Sequence, residues 1–250
     1  MPLCAIAEVE FMPRFFVNAP VNELTEITGT NAAHAVKSLR MREGDSIILC
    51  DGSGTDYHGI IVSASPDLLS VKVQSHEKSL GEPKSKIVLY QALPKADKLD
   101  FIVQKATELG VCEIVPILTE RCISRPDAKS MSKKIEKLSR TALEAAKQSG
   151  RGIIPQIMPL MKFENAVLQM CQTELPLFFY ECATTPLRKV VKLGAKTAAV
   201  MIGSEGGFSL EEAAFVKAQG IPAVSLGSRI LRCETAPICA IAQLLYALEI

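Results

Sequence analysis

Two rhythms of apolar and polar residues divide the chain. From Arg14 to about Val73 the apolar runs are short: Phe15–Val17, Ser46–Cys50, Tyr57–Ser63 and Leu69–Val73. Turn-forming stretches bound them, among them Glu43-Gly44-Asp45, Asp51-Gly52-Ser53-Gly54 and Ser65-Pro66-Asp67. The spacing predicts strands, with one helix over about Asn31–Leu39. That profile fits a small β-barrel, which either handles RNA or serves only as a packing partner. Ser75–Ser85 is polar, carries Gly81 and Pro83, shows no hydrophobic period, and is expected to link two domains.

Beyond the linker the rhythm becomes strand–helix alternation. Strands are predicted at Ile87–Leu93, Glu113–Leu118, Ile153–Met158, Pro176–Tyr180, Ala198–Ile202 and Ala223–Leu226. Helices are predicted at Asp97–Leu109, capped by Gly110, at Met131–Ser149, at Phe163–Cys171, from Ser209, and from about Thr235. Apolar strands separated by helices imply an α/β fold with a parallel sheet covered on both faces. On the helix at 131–149, Met131, Ile135, Leu138, Ala142 and Ala145 share one face. Lys133, Lys137, Arg140 and Lys147 share the other, which is either a phosphate-tracking stripe or a solvated surface diluted by Glu136 and Glu144.

Composition narrows the classes. A chain of 250 residues can bury a core of one large or two modest domains. No run of about 18 apolar residues suggests a membrane span. The first dozen residues, with Glu8 and Glu10, do not read as a secretory signal. A net charge of +1 confines any nucleic-acid surface to a local patch. The eight cysteines form no CxxC pair and the three histidines lie apart from them, so no metal is expected. Scattered thiols suggest reduced cysteines and a cytoplasmic location.

Chemistry concentrates at two glycine turns that follow predicted strands: Gly203-Ser204-Glu205-Gly206-Gly207-Phe208, and Leu226-Gly227-Ser228-Arg229-Ile230-Leu231-Arg232-Cys233-Glu234-Thr235-Ala236. The turn at Gly203–Gly207 is not a P-loop, nor is it the dinucleotide fingerprint after a first strand. Bare backbone at such turns suits a ligand with a purine edge, although glycines also serve simply as tight turns.

At these residues the chain resembles the RsmE family of SPOUT-class RNA methyltransferases. The likeness runs from Met12-Pro13-Arg14-Phe15-Phe16 through His34–Arg40, Asp51–Gly54, Lys105–Gly110, Glu120-Arg121 and Glu144–Arg151 to both glycine turns. The family usually has proline where Ser204 stands. The resemblance implies residues 1–11 as an extension, a PUA-like RNA-binding barrel over 12–80, and a SPOUT domain with a deep trefoil knot over 81–250. It also implies a homodimer and methyl transfer from S-adenosylmethionine to N3 of a uridine in 16S ribosomal RNA. The residues expected to hold the cofactor are Gly203, Ser204, Glu205, Gly206, Gly207, Leu226, Gly227, Ile230, Leu231, Arg232, Thr235 and Ala236. Glu234 and Arg232 are the first candidates for base and charge stabiliser, with Glu205 in reserve. Arg14, Arg40, Arg42, Arg121, Arg125 and Arg151 are expected to meet RNA phosphates. The alternatives are ribose 2′-O methylation, a catalytically silent RNA-binding assembly factor, and a Cys233 nucleophile that methylates a pyrimidine carbon.

Overall fold

The computed structural model describes residues 12–17 and 20–249, so the expected extension at 1–11 lies outside the described residues. Contacts divide the chain after Leu80 into two compact units.

The first unit holds a five-stranded sheet in the order β1-β3-β4-β5-β2. Its strands are β1 (Arg14–Phe16), β2 (Leu24–Thr28), β3 (Ser46–Cys50), β4 (Thr55–Ala64) and β5 (Leu68–Lys78). Only β1 and β3 pair in parallel; the other pairs are antiparallel. Inward residues alternate along the strands and meet in a core of Phe15, Ile27, Ile47, Leu49, Leu69 and Val71. The helix expected at 31–39 is a short turn of α-helix, α1 (Gly29–Ala33), that widens into a π-turn over His34–Ser38. β5 continues to Lys78, into the stretch expected as linker. There its Ser75–Lys78 segment pairs with Thr55–His58.

Arg14 is a correction. Its guanidinium binds both oxygens of Asp56, at 2.5 and 2.7 Å, and its side chain is 9% exposed. The Ser79 hydroxyl donates to the same carboxylate. Burial opposes the Asp56 charge, but Arg14 and Ser79 outweigh it and hold the carboxyl below its usual range. Arg14 is therefore committed to Asp56 inside the first unit rather than turned toward a phosphate.

The second unit is a seven-stranded, fully parallel sheet. Along the sheet run β12 (Ala223–Val224), β10 (Leu175–Phe179), β11 (Thr197–Ile202), β6 (Lys86–Ala92), β7 (Glu113–Leu118) and β8 (Gln156–Ile157), with β9 (Met161–Lys162) also on β7. The strand expected over 153–158 shrinks to the two residues of β8. The helices are α2 (Lys98–Glu108), α3 (Ala128–Gln148), α4 (Phe163–Met170), α5 (Leu210–Ala218) and α6 (Thr235–Glu249). The central strands are apolar on both faces, with Leu89, Ile114, Leu177, Ala199 and Val200 fully buried, as a covered parallel sheet requires. None of the described helices is long and apolar enough to cross a membrane.

Arg151 is the second correction. It is 1% exposed and spends its donors on Glu82, at 2.7 and 3.3 Å, and on the carbonyls of Val111 (2.6 Å) and Thr107 (3.2 Å). Glu82 is completed by the amides of Gly152 and Ile153. The pair fixes the end of α3 to the start of the domain and leaves nothing for RNA.

Candidate cofactor and methyl-transfer site

β10, β11 and β6 end in register, so Phe179, Ile202 and Gln91 form one row at the carboxyl edge of the sheet. The residues just past that row open a cleft, the usual ligand position in a parallel sheet. Its volume is about 400 Å³, within the range that small-molecule sites occupy.

β11 runs into Gly203, and the chain folds back through a turn closed by the Gly207 amide donating to Ser204 O at 3.0 Å. Gly207 has φ of +65°, and a Cβ there would collide with the Glu181 carboxylate. A Cβ at Gly206 would lie 2.9 Å from the Arg121 Cβ. Gln91 supports the turn from β6, its amide donating to Gly203 O at 3.2 Å. The Ser204 hydroxyl is buried with no hydrogen-bond partner among the described residues.

The opposite wall is the loop after β12. Gly227, at φ +113°, turns it, and the Ser225 hydroxyl accepts from the Gly227 amide. Every residue expected to hold the cofactor lines the cleft except two. Gly206 packs against Arg121, and Thr235 is exposed at the first position of α6. The lining joins glycine backbone to apolar Leu226, Ile230 and Leu231 and to the carboxylates of Glu181 and Glu205. An adenosine carrying a cationic sulfonium fits that set: apolar walls for the base, backbone for its polar edge, carboxylates for hydroxyls and charge.

The two candidate bases share a cation. Lys98 Nζ lies 2.9 Å from Glu205 and 3.4 Å from Glu234. For Glu205, burial works against the charge, but the bond from Lys98 prevails and holds the carboxyl below its usual range. Glu234 is held low first by the Cys233 thiol, which donates to it at 3.2 Å. Arg232 is exposed and makes no ion pair among the described residues.

Cys233 fits poorly as a nucleophile. Burial, then its bond to Glu234, pushes the thiol up to about 12, and the thiolate is the reactive form. Of the remaining arginines, Arg121 is exposed and donates to Gly206 O at 3.0 Å. Arg125 is exposed and donates to Glu120 O at 2.9 Å. Arg40 and Arg42 are exposed on the first unit. On α3, Lys137 pairs with Asp100 and Lys147 with Glu144, both at 3.0 Å, so half of the basic stripe is already matched.

Lys98, Glu181 and Gln91 escaped the sequence reading. Lys98 did leave a trace: it opens a helix, where the macrodipole disfavours a cation.

This fold, with a backbone-walled cleft at the sheet edge beside ionised carboxylates, is that of an RNA methyltransferase. Residues 81–245 match the RNA methyltransferase domain family, and residues 27–74 match the RNA methyltransferase PUA domain. The chain is 32% identical to the ribosomal RNA small subunit methyltransferase E of Bacillus subtilis, over 96% of this chain and 98% of that one. Among solved structures, the enzyme of that name from Neisseria gonorrhoeae bound to S-adenosyl methionine superposes with a TM-score of 0.86 at 28% identity, covering 95% and 98% of the two chains. A methyltransferase from Legionella pneumophila in complex with bound SAM gives 0.85 at 29%, covering 94% and 98%. The chain belongs to the ribosomal RNA small subunit methyltransferase E family.

Proposed function

We propose that the chain methylates N3 of a uridine in 16S ribosomal RNA, with S-adenosylmethionine held in the cleft at the ends of β10, β11 and β12. The observation that carries this reading is the pair of ionised carboxylates, Glu205 and Glu234, beside a backbone-lined cleft of cofactor size. When bound, S-adenosylmethionine supplies an electrophilic methyl group. Gly203, Gly207 and Gly227 would leave room for backbone to meet the cofactor, and Leu226, Ile230 and Leu231 would give its adenine apolar walls. Uracil N3 carries a proton, so its lone pair is exposed only when that proton leaves. A carboxylate oxygen of Glu234, or of Glu205, receives it. The free Arg232 guanidinium offsets the negative charge that develops on the ring. Positioning of the uridine against the cofactor by the cleft residues would supply much of the remaining rate.

The same reading extends to architecture. The chain leaves β11 in mid-sheet, reaches the edge strand β12, and returns as α6 against α2 and β11. That return past the glycine loops is the path a trefoil knot would take. The first unit is read as a PUA-like RNA-binding barrel. Exposed Leu210 and Tyr246, with Ile230 at the cleft, favour a second copy of the chain over that face, and a cytoplasmic location follows from the ribosomal substrate. The exposed Arg40, Arg42, Arg121 and Arg125 are assigned to RNA phosphates.

Calorimetric titration with S-adenosylmethionine tests the cofactor assignment. Micromolar binding, one per protomer, is expected for the wild type and lost in Gly207→Val. Nucleoside mass spectrometry of treated small-subunit RNA should then show 3-methyluridine. A 2′-O-methyl nucleoside instead would move the reaction to the ribose, and no binding by folded wild type would favour a silent RNA-binding factor.

A further inference from the structure

We propose that Lys98 is a positioning residue that draws Glu205 and Glu234 together at the cleft and keeps both as carboxylates.

Lys98 is the first residue of α2, with Asp97 as its N-cap. A cation there opposes the helix macrodipole, so its position needs another account. Its ammonium bridges the two segments that wall the cleft: Glu205 from the turn after β11, at 2.9 Å, and Glu234 from the loop before α6, at 3.4 Å. Cys233 Sγ is 3.9 Å away. The connection from β6 to α2 is bent to serve the same contact. Ala96 adopts φ of +53°, a left-handed conformation unfavourable for alanine. That bend presents the Lys95 amide to Glu205 at 3.2 Å. Strain of this kind persists where surrounding contacts enforce it, and such places cluster at functional sites.

Glu205 and Glu234 lie within 3.4 Å of one nitrogen, close enough to repel each other if that nitrogen lost its charge. Without the cation one of the two would take up a proton more readily, as paired carboxylates do. The groups that face Lys98 are Glu205, Glu234 and Cys233, and the thiol stays neutral because its own titration is pushed up. Lys98 itself is held above the ordinary ammonium range, first by its bond to Glu205, so it remains charged wherever the carboxylates are. On the proposed function, a proton acceptor is then available at neutral pH, with Glu205 in the cleft wall and Glu234 tied to it through Lys98.

The test reads the carboxyls directly in cofactor-free protein. Glutamates labelled with ¹³C at the side-chain carboxyl are titrated by NMR in wild type, Lys98→Gln and Lys98→Arg, with Glu205→Gln and Glu234→Gln to assign the signals. The expected result is a rise of about one pH unit for Glu205 in Lys98→Gln. Glu234 should rise less, since Cys233 still donates to it, and Lys98→Arg should restore both. Single-turnover methylation should move in parallel, its acid limb rising in Lys98→Gln while circular dichroism shows an unchanged fold. Carboxyl titrations unmoved in Lys98→Gln would overturn the proposal. The NMR result stands whether or not the chain transfers a methyl group. A shifted titration with no S-adenosylmethionine binding by wild type would overturn the functional reading alone.

Discussion

An arginine in this chain is either a structural cation or a free one, and its partners decide which. Arg14 and Arg151 resemble Arg40 and Arg42 in sequence, yet the first two are buried with carboxylates and the second two are exposed. The difference was invisible along the chain because the partners are remote, Asp56 lying 42 residues from Arg14 and Glu82 lying 69 from Arg151. Removing one member of a buried pair strands the other, at a cost of about 3 kcal/mol. Arg14→Met should therefore lower the unfolding free energy by about that amount in urea at pH 7, and a loss below about 1 kcal/mol would contradict the buried pair. The sign with pH is fixed. Asp56 titrates lower in the folded state than in the unfolded chain, so its stabilisation is complete above about pH 4 and is lost as pH falls through the folded value. Asp56→Asn should be less stable at neutral pH and should flatten that acid dependence.

The elements were legible wherever one period dominated. Ser46–Cys50 and Glu113–Leu118 are strands at the residues expected, because near-continuous apolar runs mark strands buried on both faces. β2 was missed because its pattern inverts the usual code: Leu24 is exposed and Thr25 is buried, its hydroxyl satisfied by Asn22. The end of β5 was missed because Gln74–Lys78 is polar on both faces, and its neighbour β4 alone makes it a strand. At the site the glycine turns stood out, whereas Lys98 and Glu181 did not, since each acts through groups far away in sequence. The helix start at Ser209 was legible, and its wider reach was not. Ser209 and Glu212 form a full capping box, and the same Glu212 also accepts from the Glu120 amide at 2.8 Å. Glu212 thus ties the start of α5 to the loop whose Arg121 braces Gly206. Glu212→Ala leaves two amides without acceptors, that of Ser209 buried and that of Glu120 partly so, which should cost about 2 kcal/mol. It should also weaken S-adenosylmethionine binding more than Ser209→Ala, which loses the cap alone at about 1 kcal/mol. Equal cofactor affinities in the two variants would separate α5 from the turn.

At the scale of the whole molecule the near-zero net charge is informative. With 28 basic and 27 acidic residues, attraction to RNA cannot come from overall charge and must come from a few cations left unmatched. Two of the six arginines expected for that task are consumed inside the units, and α3 has half of its basic face paired. Arg40 and Arg42 on the first unit, with Arg121 and Arg125 on the second, remain exposed. About four phosphate contacts give a log–log salt slope near −3, so affinity for a small-subunit RNA fragment should fall about 60-fold between 50 and 200 mM salt. The slope is also divisible. Replacing Arg40 and Arg42 with glutamine should reduce it by about 1.5, and replacing Arg121 and Arg125 should do the same independently, because each neutralised phosphate contributes roughly three-quarters of a unit. Arg14→Met, by contrast, should change stability and leave the slope of the still-folded protein alone. Fluorescence anisotropy across a salt series distinguishes these outcomes. A slope near zero for the wild type would mean that shape and base contacts, rather than these arginines, hold the RNA.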